Sequence, residues 1–306
     1  MTARVLSVRM IWDEGPHNAF TDLVRWRGRF YCAFREGAGH AEGLGIIRVT
    51  ASDNGEDWES VGVLAHGEYD LRDAHLAVTP DDRLMVLGGA ALVSEGGRRT
   101  GTFVAFTEDG QAWGAPQIAV PPGRWLWQVT WHRGKAYGVS YATPDGKPWS
   151  SLLVSDDGVA WSPHVAELLG QGWPTEATLR FDENDTLYCL HRRDGADNSA
   201  YLGAARPPYT DFTWHDLGRY YGGPNFIRVP QGYWIGAGRT IEGEARTVLT
   251  LLDVETGTMK AILELPSGGD TSYPGLIWHD DVLWVSYYSS HEGKTSIYLA
   301  KLTIDG

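Results

Sequence analysis

The chain has 306 residues and a formal net charge of −13 at pH 7. Nucleic-acid-binding proteins contact the phosphate backbone through clustered lysine and arginine, and a chain this acidic would repel it. We therefore do not expect nucleic acid as a partner. Hydrophobic residues make up 42% of the chain, which is enough for a large packed core and excludes a disordered protein.

Neither a secretion signal nor a run of 18 apolar residues is present in the sequence. We therefore expect no membrane contact and a cytoplasmic location. Cys32 and Cys189 each lie inside an apolar, strand-like run. That position predicts two buried free thiols rather than a disulfide, which fits a reducing compartment.

One phrase recurs six times: a polar residue, an apolar stretch, a short turn rich in Gly, Asp or Asn, and an aromatic-rich strand. In chain order the copies are TDLVRWRGRFYCAFREG, RDAHLAVTPDDRLMVLGG, WQVTWHRGKAYGVSYA, TEATLRFDENDTLYCLHRR, PNFIRVPQGYWIGAGRT and SYPGLIWHDDVLWVSYYSS. Their leading polar residues, separated by 51, 55, 48, 49 and 48 residues, are Asp22, Asp73, Gln128, Glu176, Asn225 and Tyr273. This spacing is typical of a four-stranded propeller blade whose first two strands form a hairpin.

Further strands are predicted after the hairpins, for example GIIRVTAS, GTFVAFT, SSLLVS, RTVLTLLD and TSIYLAKL. After Tyr273 only 33 residues remain, which is short for four strands, whereas the N-terminal ARVLSVRMIW is a good strand without a partner. We therefore predict an all-β, six-bladed β-propeller that spans residues 1–306 as a single domain, with the N-terminal strand closing the last blade.

Three of the predicted blades carry a turn of the form D-x-G-x-x-W. The copies begin at Asp53, Glu108 and Asp156, with Glu in the Asp position of the second copy. Such a turn is favoured because a carboxylate accepts backbone N–H bonds and glycine takes the left-handed dihedral. The pattern resembles the Asp-box, or BNR repeat, of the sialidase superfamily, and the resemblance implies a six-bladed propeller.

The second half of the chain resembles the sialidase active site. TEATLRFDENDTLYCLHRR is similar to a strand pair that begins with a catalytic Glu, here Glu176, and ends with a carboxylate-binding Arg, here Arg192. SYPGL resembles the strand of the nucleophilic tyrosine, which implies that role for Tyr273. Between them, Arg239 or Arg246 is implied as a further clamp arginine.

The first half departs from the sialidase pattern. No Arg-Ile-Pro phrase is present, and Ala19 stands where the resemblance would place the first clamp arginine. The acid/base aspartate of the family would fall in the loop FREGAGHAEG, which instead offers Arg35, Glu36, His40 and Glu42.

Equivalent positions of a propeller repeat converge on one central channel, so the six leading polar residues are expected to form a ring there. Asp22 and Asp73 are candidate proton donors beside the pair Glu176 and Tyr273. Candidate substrate-binding residues are Arg35, Arg192, Arg239, Gln128, Asn225, His40 and Tyr288. The alternative is that polar residues at blade starts cap strands or bind channel waters. The aromatic residues that could stack on a sugar, or could instead pack between blades, are Trp12, Trp125, Trp127, Trp173, Tyr287 and Tyr288.

The sequence contains no metal-binding motif and no glycine-rich phosphate loop. We expect neither a metal nor a cofactor, and a structural ion in the channel stays open.

These features favour a sialidase-like exo-glycoside hydrolase acting on a terminal, acidic sugar, with a small carbohydrate or glycan terminus as partner. The alternatives are a propeller glycosidase that uses three carboxylates, Asp22, Asp73 and Glu176, on neutral sugars; a polysaccharide lyase with His40 or Tyr273 as base; and a non-catalytic carbohydrate-binding propeller. The sequence leaves the oligomeric state open.

Overall fold

A computed structural model describes residues 1–94, 97–142 and 148–305. These residues form 24 β-strands in six antiparallel four-stranded sheets, which are the blades of a propeller. Among the described residues, no helix is present that could cross a membrane. The predicted six-bladed, all-β fold is confirmed.

Five of the blades are built from consecutive strands, and the first strand of each lies innermost. The chain opens with β1 (Thr2–Trp12), which belongs to the last blade. Blade 1 contains β2 (His17–Trp26), β3 (Arg29–Gly37), β4 (Ile46–Ser52) and β5 (Glu59–Leu64). Blade 2 contains β6 (Tyr69–Val78), β7 (Leu84–Ser94), β8 (Gly97–Thr107) and β9 (Gln117–Val120). Blade 3 contains β10 (Arg124–His132), β11 (Lys135–Ala142), β12 (Ser150–Ser155) and β13 (Ser162–Leu169).

The remaining blades continue the same pattern. Blade 4 contains β14 (Pro174–Phe181), β15 (Leu187–Arg193), β16 (Tyr201–Ala205) and β17 (Thr213–Asp216). Blade 5 contains β18 (Gly222–Arg228), β19 (Trp234–Thr240), β20 (Arg246–Asp253) and β21 (Thr258–Glu264). Blade 6 contains β22 (Thr271–His279), β23 (Val282–Ser289) and β24 (Ser296–Asp305), with β1 as its outermost strand.

The N-terminal strand closes the ring, as expected. β1 pairs antiparallel with β24, from Thr2 opposite Asp305 to Trp12 opposite Ile297. Blade 6 is therefore made from both ends of the chain. Closure of this kind ties the termini together and leaves no gap in the ring of sheets.

Apolar side chains fill the spaces between neighbouring blades. Ile47 of blade 1 shares a buried cluster with Val86 of blade 2, and Leu249 of blade 5 shares one with Val285 of blade 6. Strands buried on both faces in this way explain the continuous apolar runs of the sequence phrases. Cys32 and Cys189 are buried free thiols, so the cysteine prediction is confirmed.

The three D-x-G-x-x-W turns adopt the expected hydrogen-bonded form, but with a different acceptor. The side chains of Asn54, Asp109 and Asp157 each accept the backbone N–H groups two and three residues ahead, at 2.8–3.0 Å. The residues that begin the three sequence copies, Asp53, Glu108 and Asp156, do not accept these bonds. The acceptor stands directly before the glycine because an Asx turn closes onto the N–H groups at i+2 and i+3.

Candidate active site

All six innermost strands change their pairing register at the same place in the repeat. The shifts lie between Ala19 and Asp22, Arg72 and His75, Leu126 and Val129, Pro174 and Ala177, Gly222 and Asn225, and Ser272 and Gly275. In each blade two residues of the inner strand face one residue of the second strand, which is a β-bulge and turns the inner strand locally.

Backbone dihedrals mark the same positions. Phe20, Asp73 and Tyr273 are the first bulge residues of their blades, and their φ angles are 62°, 49° and 50°. Gly223 takes the equivalent position in blade 5 with a φ of 56°. Left-handed dihedrals at non-glycine residues are strained and are concentrated at functional sites. The side chains at these bulges are therefore candidates for a functional role.

A cavity of about 620 Å³ opens at the level of the bulges. Side chains from all six blades line it, including the bulge residues Asp73, Glu176 and Tyr273. Four guanidinium groups and three carboxyl groups face this space, from Arg72, Arg98, Arg192, Arg239, Asp73, Glu176 and Asp194. The expected common cavity for Glu176, Arg192, Arg239 and Tyr273 is therefore present.

Tyr273 and Glu176 are in direct contact. The Tyr273 hydroxyl donates a short hydrogen bond to Oε1 of Glu176. The same oxygen accepts from Nη1 of Arg192 at 2.8 Å, and that nitrogen lies 3.2 Å from the Tyr273 hydroxyl. Oε2 of Glu176 accepts from the backbone N–H of Gly223 at 2.8 Å. These bonds fix the carboxylate between a phenol and a guanidinium.

The environment separates the protonation states of the pair. Burial raises the pKa of Tyr273 well above its ordinary value, and the negative charge of Glu176 raises it further. Burial would also raise the pKa of Glu176, but Arg192 and the bonds from Tyr273 and Gly223 outweigh it and hold this pKa below its usual range. At neutral pH the pair is therefore a neutral phenol beside a carboxylate.

Two of the cavity arginines make only long polar contacts among the described residues. Arg239 donates only long hydrogen bonds of 3.4 Å, to the Thr271 carbonyl and the Tyr220 hydroxyl. Arg72 donates to the His40 carbonyl at 3.4 Å, and its Nε lies 3.5 Å from Oδ1 of Asp73. Their guanidinium groups thus have free hydrogen-bonding capacity towards an anionic ligand.

The other two cavity arginines are held by acidic side chains. Arg192 contacts Glu176 and also donates from Nε to Asp194 at 2.9 Å. Arg98 contacts Asp70 closely and donates to the Ala41 carbonyl at 2.6 Å. These arginines contribute charge to the cavity wall, but their donors are largely occupied.

Asp73 is the third carboxyl group of interest. It is 3% exposed, and its Oδ1 makes no hydrogen bond within the described part of the chain. Burial raises the pKa of this carboxyl; Arg72 opposes the shift, and the nearby charge of Glu176 adds to it. A buried carboxyl with a raised pKa can keep its proton and act as an acid.

Aromatic side chains form the wall contributed by blades 3 and 4. Trp125 stacks on Tyr141 with ring centroids 5.7 Å apart, and Trp173 is 50% exposed at the rim. Such a surface suits the apolar face of a sugar ring.

Several residues predicted for the ring lie elsewhere. Asp22 accepts the backbone N–H groups of Leu23 and Leu76, each at 2.9 Å. Together with Gln128 it lines a separate cavity of about 320 Å³ further along the inner strands. Asn225 bonds to Arg180 and to the Pro274 carbonyl.

Arg35 and Tyr288 also do not line the large cavity. The Arg35 side chain has no exposed surface and forms an ion pair with Asp70 at 2.8 Å. The Tyr288 hydroxyl donates to Oδ1 of Asp270 at 2.9 Å. His40 does line the cavity, and its Nδ1 lies 2.7 Å from Oδ2 of Asp270.

Several residues in or beside the cavity could not be predicted from the sequence. Arg72 stands directly before Asp73 in the phrase RDAHL, and the sequence predicts a role only for the aspartate. Arg98 lies at the start of β8 and Asp194 directly follows β15, and no recognisable motif marks either residue. Asp270 lies three residues before Tyr273 and directly before β22, and no motif marks it either.

No family model matches the chain, and no curated protein matches it. Solved structures do. A protein of unknown function from Dyadobacter fermentans is 19% identical with a TM-score of 0.87, over 99% of this chain and all of that one. An α-L-arabinofuranosidase from Fusarium graminearum is 13% identical with a TM-score of 0.71, over 97% of both chains.

A sialidase from Trypanosoma rangeli is 12% identical with a TM-score of 0.72, over 97% of this chain and 58% of that one. Two of the three similar structures are thus glycoside hydrolases. At these identities the likeness establishes the fold, and it confirms the expected resemblance to sialidase propellers at that level: this chain has the six-bladed propeller fold found in glycosidases.

Proposed function

We propose that the large cavity is the active site of an exo-glycoside hydrolase acting on a terminal, acidic sugar. The observation that carries the proposal is the hydrogen bond from the Tyr273 phenol to the Glu176 carboxylate, placed in the same cavity as Arg72 and Arg239. A phenol that can pass its proton to a fixed carboxylate is an activated nucleophile. Two guanidinium groups whose polar contacts within the protein are all 3.4 Å or longer are suited to bind a substrate carboxylate.

In the first step, the Tyr273 oxygen attacks the anomeric carbon while its proton passes to Glu176. The bond from that carbon to the leaving oxygen breaks, and Asp73 gives its proton to the leaving oxygen. A neutral phenol suits this step because a bare carboxylate nucleophile would be repelled by an anionic sugar.

In the second step, a water gives a proton to Asp73 and attacks the anomeric carbon. The bond to the tyrosine oxygen breaks, and Tyr273 recovers its proton from Glu176. The overall change is hydrolysis, and every protein group returns to its starting state. Arg192, 3.2 Å from the Tyr273 hydroxyl, would stabilise negative charge that develops on the phenolic oxygen.

The three-carboxylate alternative has less support from the geometry. It needs Asp22 beside Asp73 and Glu176, but both carboxylate oxygens of Asp22 accept backbone N–H groups and the residue lines a different cavity. The tyrosine route uses only groups that share one cavity.

The test is a panel of aryl glycosides in matched pairs that differ only in a carboxylate, such as glucuronide and glucoside, together with aryl sialosides. We expect release of the aryl alcohol from an acidic member and a saturated sugar product. An Arg239→Leu variant should raise KM for that substrate about 10- to 100-fold, the value of a charge-assisted hydrogen bond.

Three results would contradict the proposal. Turnover of the neutral members alone would favour the three-carboxylate alternative. An unsaturated product would indicate a lyase, and binding of an acidic sugar without turnover of any panel member would indicate a binding protein.

A further inference from the structure

A second cluster of polar side chains lies beside the cavity, between blades 1 and 6, and its member His40 lines the cavity. His17 begins β2, His40 lies between β3 and β4, and Asp270 directly precedes β22. Nε2 of His17 lies 2.9 Å and Nδ1 of His40 lies 2.7 Å from the same oxygen, Oδ2 of Asp270. The three donor atoms all lie within 4.8 Å of one another.

We propose that His17, His40 and Asp270 bind one divalent transition-metal ion, for which zinc is the expected occupant. Two imidazole nitrogens and one carboxylate oxygen are a ligand set typical of zinc and of neighbouring metals. Because both imidazoles aim at one carboxylate oxygen, an ion can replace the two hydrogen-bonding protons after small movements of the side chains. Metal binding would then release protons and weaken as the pH falls.

The surroundings of the cluster orient its ligands. The Tyr288 hydroxyl donates to Oδ1 of Asp270 at 2.9 Å, which leaves Oδ2 facing the two histidines. The Phe20 ring packs against both imidazoles, with its centroid 5.0 Å from that of His40 and 6.4 Å from that of His17. Partners of this kind set the direction of a ligand before the metal arrives.

Three protein ligands leave a fourth position of a tetrahedral ion unfilled by the chain. His17 is 8% exposed, whereas the His40 side chain is 52% exposed and lines the cavity. The fourth position would therefore face the cavity, where a water or a ligand atom can occupy it. This inference does not depend on the proposed hydrolase activity, because all three proposed ligands come from the protein.

A missing hydrogen bond at His17 limits the affinity that we expect for zinc. Nδ1 of His17 is buried and has no hydrogen-bond partner in the described part of the chain. A metal-bound histidine usually donates its other ring N–H to an acceptor, and loss of such a contact typically costs about 10- to 100-fold in metal affinity. We therefore expect micromolar binding of zinc rather than the tighter binding of a structural zinc site.

The test titrates the tag-free protein, stripped with a chelator, with Zn²⁺ alone in a calorimeter, and with Co²⁺ alone in a spectrophotometer. We expect one Zn²⁺ per chain and visible d–d absorption from bound Co²⁺. His40→Ala and Asp270→Asn should each weaken Zn²⁺ binding by at least about 10-fold. His66→Ala, which removes a histidine from the connection between blades 1 and 2, should bind like the wild type.

Folding of the variants is checked by circular dichroism and by thermal unfolding of the stripped proteins. Zn²⁺ should raise the Tm of the wild type and of His66→Ala by more than it raises that of Asp270→Asn. The proposal is overturned if the wild type shows no saturable binding in the micromolar range. It is also overturned if folded His40→Ala and Asp270→Asn bind Zn²⁺ as tightly as the wild type.

Discussion

Tyr273 is a bulge residue with a left-handed backbone, a buried ring and a hydroxyl committed to Glu176. Its ring also packs against Phe20, with centroids 5.1 Å apart. The ring is therefore held by packing, and the hydroxyl is the part available for chemistry. Removal of the hydroxyl oxygen alone therefore tests its role in the chemistry without disturbing the packing of the ring.

Tyr273→Phe should lower kcat at least about 1,000-fold, because the proposed nucleophilic oxygen is lost while the ring remains. Substrate or product affinity, measured by calorimetry, should change little. The matched control is Tyr221→Phe, which removes a buried hydroxyl bonded to the Val248 carbonyl and to Thr250 in blade 5. Full activity in Tyr273→Phe would rule out the tyrosine route.

Asp73 and Glu176 should give the reaction a bell-shaped pH profile. Glu176 must be ionised, and its lowered pKa keeps it so into the acid range. Asp73 must be protonated, and its pKa is raised, so activity should fall as the pH rises through that value. In Asp73→Asn, kcat should drop and the alkaline limb should disappear; an unchanged profile would exclude Asp73 as the acid.

Asp73, Glu176 and Tyr273 line the large cavity from bulge positions, whereas Asp22 and Asn225 lie beyond their bulges and do not line it. Paired registers make Asp73 equivalent to Tyr273, and Gln128 equivalent to Glu176, whereas Asp22 and Asn225 fall one or two residues later in the repeat. When the six sequence phrases are aligned by their leading polar residues, these residues take equivalent positions. A one-residue offset changes the direction of a side chain, so this alignment could not show which of them face the cavity.

The pair Glu176 and Tyr273 could be identified from sequence because each lies in a phrase that resembles a known motif. The arginines Arg72 and Arg98 and the cluster around Asp270 could not. Asp270 meets His17 and His40 only because the ring closes between blades 6 and 1. Arg72 and Arg98 both lie in blade 2, and no local periodicity marks them.

Gly88 of β7 lies opposite the bulge that carries Asp73. A Cβ atom at this position would be 2.5 Å from the Arg72 carbonyl oxygen and 2.9 Å from that of Asp73. Gly88→Ala should therefore displace the bulge and lower the free energy of unfolding by about 1–3 kcal/mol. Urea denaturation measures the change, with Gly67→Ala, whose added methyl meets no atom within 4 Å, as control. Equal stabilities for the two variants would contradict the steric argument.

At the scale of the whole molecule, the sequence repeat predicted the blade count and the strand that completes blade 6. Both follow from periodic apolar strands and turn residues, which act locally and recur at nearly constant spacing. The circular arrangement itself depends on β1 pairing with β24, which joins residues as far apart in sequence as Thr2 and Asp305.

Removal of residues 1–13 should therefore abolish cooperative folding. The edge of β24 would lose its hydrogen-bonding partner, and residues that are now buried, such as Tyr298 and Leu302, would become exposed to solvent. Size-exclusion chromatography and thermal unfolding measure the outcome. Leu6→Ser, at an unpaired and 49% exposed position of β1, should change stability by no more than about 0.5 kcal/mol. A monomeric truncated protein that melts like the wild type would show that ring closure is dispensable.

The central claim is that Tyr273 forms a covalent bond to the anomeric carbon. It is tested most directly with a fluorinated acidic glycosyl fluoride, which forms the glycosyl-enzyme faster than water can cleave it, followed by peptide mass spectrometry. We expect the mass of one sugar on the peptide that contains Tyr273, with fragmentation placing it on the phenol, and no label in Tyr273→Phe. A label on Glu176 or Asp73, or equal labelling of the wild type and Tyr273→Phe, would contradict the account.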